Sequence, residues 1–66
     1  MDKLTEAQKA REKFNVGDSV THIPTQANGF VRGWDCEAPE DTPVLVLEVG
    51  PESFMLAQAD EFRFTY

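Results

Sequence analysis

Sixty-six residues set one domain as the upper limit, and a chain of that size has a total stability of about 3–10 kcal/mol. The lone cysteine, Cys36, excludes an internal disulfide framework, and together with the lone histidine, His22, it cannot build a structural zinc site. Twelve acidic against six basic residues give a net charge of −6, and residues 16–66 alone carry −7. Direct nucleic-acid binding is thereby excluded as an expectation, since it rests on neutralising phosphates with Lys and Arg.

Residues 1–14 are a compositional block of Ala, Glu, Lys, Gln and Arg, a helix-forming mixture. Thr5 and Gln8 have the spacing of a capping box. The apolar stripe of Leu4, Ala7, Ala10 and Phe14 is thin, so the block reads as a short helix or a disordered tail. Residues 15–66 then read as a β domain. A first strand is expected near Ser19 to Ile23, closed by Pro24, and Asn28-Gly29 has the composition of a turn. The run from Phe30 to Cys36 alternates, with Gly33 marking a bulge or bend.

Residues 37–43 form an acidic loop bracketed by prolines. Val44 to Val49 is apolar on both faces, as expected of a central strand, and Gly50-Pro51-Glu52-Ser53 places proline where a type I or II turn takes it. A partner strand over Ser53 to Ala57, a helical turn over Gln58 to Glu61 and a closing strand through Phe62, Phe64 and Tyr66 complete the chain. Five short strands joined by tight turns predict a small all-β barrel. Val20, Trp34, Cys36, Val46 and Phe62 are the expected core.

Phe14-Asn15-Val16-Gly17-Asp18-Ser19-Val20 resembles the opening of many Src-homology-3-like barrels. Nine residues on comes Gly29-Phe30-Val31-Arg32-Gly33-Trp34-Asp35-Cys36. This Gly-x-x-x-Gly-Trp-x-Cys string resembles the type II, trimethoprim-resistant dihydrofolate reductases borne on plasmids and integrons. The resemblance continues through Thr42-Pro43, Glu48 and Pro51-x-Ser53 and covers roughly residues 14–62. It implies an all-β, five-stranded Src-homology-3-like barrel that assembles into a homotetramer around a central pore, with NADPH and folate bound there.

Carried over by position, the family's Val-Gln-Ile-Tyr segment falls on Phe54, Met55, Leu56 and Ala57, and its pore lysine on His22. His22, Met55, Leu56 and Ala57 are thus the candidate pore-facing residues, yet the amide, hydroxyl and cation that the family uses are missing. No other catalytic, phosphate-binding or metal-ligating pattern occurs in the chain. The expectation is a self-associating interaction module, dimer or tetramer, without catalysis or cofactor. One alternative is a divergent NADPH-dependent reductase of this type. Another is an acidic decoy whose surface occupies a basic partner protein. No stretch approaches the ~18 apolar residues of a membrane span and no signal-peptide core opens the chain, so a cytoplasmic location is expected.

Overall fold

The computed structural model describes residues 3–66, so Met1 and Asp2 of the expected tail lie outside the described residues. One helix, α1 (Glu6–Lys13), precedes five strands: β1 (Ser19–His22), β2 (Ala27–Trp34), β3 (Val44–Gly50), β4 (Ser53–Gln58) and β5 (Phe62–Phe64). A 3₁₀ turn, Ala59–Glu61, links the last two. All strand pairs are antiparallel in one sheet of order β4-β3-β2-β1-β5. That order, with a 3₁₀ turn before the last strand, is the Src-homology-3-like one.

The sheet is rolled, not flat. Val20 of β1, Val31 of β2, Leu45 and Leu47 of β3 and Phe62 of β5 bury into one cluster, and Met55 and Ala57 of β4 pack on it, so all five strands share a single core. Val20, Val31, Leu45 and Leu47 fill its centre, with Phe14 and Ala59 at its end. The register shift between Val31 and Gly33 lets β2 bend around this core.

The N-terminal block is a helix, and it is part of the fold. Thr5 accepts from the Gln8 amide while the Gln8 side chain accepts from the Thr5 amide, completing the capping box. The same side chains also dock the helix. Thr5 Oγ1 donates to the Asp41 carbonyl (2.6 Å), and Gln8 Nε2 donates to that of Glu40 (3.1 Å). Ala7, Ala10 and Phe14 are buried, the Phe14 ring meeting Phe64 edge-on at 5.0 Å. A stripe too thin to hold an isolated helix is enough once three small or aromatic positions face a core.

Several core expectations need correction. Val20 and Phe62 are buried, and Trp34 is half-buried with its ring against the core. Cys36 is exposed, because β2 ends at Trp34 and the chain leaves the sheet. Val46 faces outward and is half-buried; its neighbours Leu45 and Leu47 point inward, since alternate residues of a strand take opposite faces. Asn28-Gly29 is not a turn but lies inside β2, with the turn at residues 23–26 and Gln26 at φ 64°. β5 stops at Phe64, leaving Tyr66 exposed. Among the described residues no helix is long and apolar enough to cross a membrane.

Candidate self-association face

Antiparallel register fixes what lies side by side on the outer surface of β2, β3 and β4. Phe30 pairs with Glu48, and Glu48 with Phe54, so the three form one row across the sheet. The next row runs Gly33, Val46, Leu56. Because Leu45, Leu47, Met55 and Val31 take the inner face, strand alternation puts Phe30, Val46, Phe54 and Leu56 outside. Phe30, Phe54 and Leu56 are 57%, 53% and 55% exposed. Glu48 is the one charge in these rows, and Arg32, at the register shift between them, donates from Nε to its Oε1 at 3.2 Å and balances it. Below Phe30 a hollow of about 410 Å³ is lined by Asn28, Gly29, Glu48, Val49 and Pro51.

The two sheet edges differ. β5 is three residues long, carries Arg63 and has Thr65 continuing its pairing onto Ser19. β4 is six residues long, Ser-Phe-Met-Leu-Ala-Gln, with no charge, proline or glycine. Edge strands are ordinarily kept from pairing by short length, inward charges, Lys or Pro. β5 has such protection and β4 does not.

The residues expected to share a pore separate in the folded chain. Met55 and Ala57 turn inward onto the core, while Leu56 faces out. His22 lies on β1, which β2 and β3 divide from β4. Its side chain is buried, with the residue 5% exposed, and both ring nitrogens are engaged. Nε2 stands 2.9 Å from Glu61 Oε1 and Nδ1 2.8 Å from Thr25 Oγ1, with the ring 5.0 Å from that of Phe62. A carboxylate only accepts, so Nε2 carries a proton and the histidine ties β1 to the 3₁₀ turn. It is enclosed rather than presented at the surface.

Phe30 and Phe54, which carry most of the outer patch, are absent from the expected site. Their signal is the alternation of each run, which becomes readable only when the buried face is known. No group of three or more His, Cys, Asp or Glu is placed to hold a metal ion among the described residues. No family model, curated protein or solved structure matches the chain.

Proposed function

We propose that this protein is a non-catalytic, self-associating β module whose β4 edge and outer β2-β3-β4 face meet a second copy of the chain. The observation that carries this reading is the six-residue uncharged edge strand, whose Phe54 and Leu56 share an exposed face with Phe30, on a chain of net charge −6. Two copies repel each other over most of their surfaces and meet without like-charge cost at this neutral face. Burying a half-exposed Phe or Leu there contributes about 1 kcal/mol each, and pairing two β4 edges satisfies backbone groups that otherwise bind water.

Against the reductase alternative stand the inward Met55 and Ala57 and the enclosed His22, which leave few groups to hold two anionic ligands. Lysine at an edge position desolvates poorly and repels its symmetry mate, so Phe54→Lys or Leu56→Lys leaves a folded monomer. Chemical cross-linking of the native chain traps dimers or tetramers that either variant lacks. Cross-linking that is unchanged in both variants contradicts this face, and growth of a sensitive host on trimethoprim supports the reductase instead.

A further inference from the structure

We propose that the cavity beside Trp34 reads an arginine side chain from a basic segment of a partner protein, and that Arg11 of α1 is its built-in occupant. The cavity, about 240 Å³, lies on the far side of β2 from the helix-free outer face's Phe30 row and is walled by Trp34, Ala38, Pro39 and Pro43. Asp35 and Glu40 stand in the same lining. An indole face with apolar walls and carboxylates at the rim suits a planar guanidinium better than a compact, strongly hydrated ammonium.

The structure already holds such a cation there. The Arg11 guanidinium carbon lies 5.5 Å from the centre of the Trp34 ring. Yet the ion pairs among the described residues are Lys9–Glu6, His22–Glu61 and Arg32–Glu48, so Arg11 stacks without a carboxylate partner within 4.0 Å. Asp35 Oδ1 accepts from the Glu37 amide, which leaves its second oxygen for a ligand. A guanidinium arriving from outside can stack on Trp34 and also reach Asp35 or Glu40, a combination that Arg11 does not achieve. The −7 charge of residues 16–66 draws basic segments toward the cavity. The Arg11 side chain is exposed, so it can swing aside while α1 stays docked.

The test uses a seven-residue peptide alternating arginine and glycine, its lysine counterpart of equal charge, and the full chain. Calorimetry gives affinities, and the fluorescence of the lone tryptophan reports occupancy. The arginine peptide should bind about tenfold more tightly than the lysine peptide, the difference expected of stacking plus bidentate contact. Arg11→Ala should tighten binding about threefold by removing the internal competitor. Asp35→Asn and Glu40→Gln, both near-isosteric surface changes, should each weaken it. Equal affinity for the two peptides, or affinity unchanged in both carboxylate variants, overturns the site in favour of diffuse charge attraction. Unchanged affinity in Arg11→Ala overturns the role given to the helix.

Discussion

At Gly29 the absence of a side chain is what allows β2 and β3 to lie together, because a Cβ there would run into the Glu48 carbonyl oxygen. Gly29→Ala must push the strands apart, and a loss of about 1–3 kcal/mol, the usual cost of overpacking, is expected in urea unfolding. Glu52 is the opposite case. With φ 57° after Pro51 it occupies the left-handed position of a type II turn, where glycine carries no Cβ penalty. Glu52→Gly should therefore stabilise by about 0.5–1 kcal/mol and raise the melting temperature by about 2–8 °C. His22 depends on its neighbours. Removing the acceptor with Glu61→Ala leaves a buried N–H without a partner and should cost about 1–3 kcal/mol by the same measurement. Cys36→Ser, at an exposed loop position, should change stability by less than about 0.5 kcal/mol.

At the scale of elements, α1 is the part whose composition and tertiary role diverge most. Deleting residues 1–13 removes the buried Ala7 and Ala10, uncovers Phe14 and Phe62, and breaks the two side-chain bonds to the Glu40 and Asp41 carbonyls. A drop of more than about 10 °C in the melting midpoint is expected, since about 2 kcal/mol is at stake in so small a domain. A midpoint within a few degrees of the full chain would mean that the helix is only an appendage.

The capping box was legible in Thr5 and Gln8, whereas the docking partners were not, because the carbonyls that receive them lie over thirty residues away. The five strands could be read from alternation and turn residues, and their inward faces could not. Val46 and Leu45 are equally apolar, and only the register with β2 and β4 decides which one is buried. Asn28-Gly29 misleads for a physical reason. Asn28 faces Thr21 across the β1–β2 ladder and bonds its hydroxyl, and Gly29 serves close packing, so both turn-forming residues have strand tasks.

At the scale of the molecule, the barrel has one guarded edge and one open edge, and on the proposed reading a second copy extends it on the open side. The outer face of β2, β3 and β4 pairs its own charges through Arg32 and Glu48, while the unbalanced acids lie on the loops and turns around it. That distribution supports the proposed meeting of two copies, since repulsion is lowest where the apolar rows are. The most direct measurement is the mass by sedimentation equilibrium over a range of concentrations and at two salt concentrations. The account predicts a multiple of 7.4 kDa that falls to the single-chain value in Leu56→Lys, with association favoured at higher salt as the surrounding like charges are screened. A mass of 7.4 kDa at every concentration and salt would contradict it.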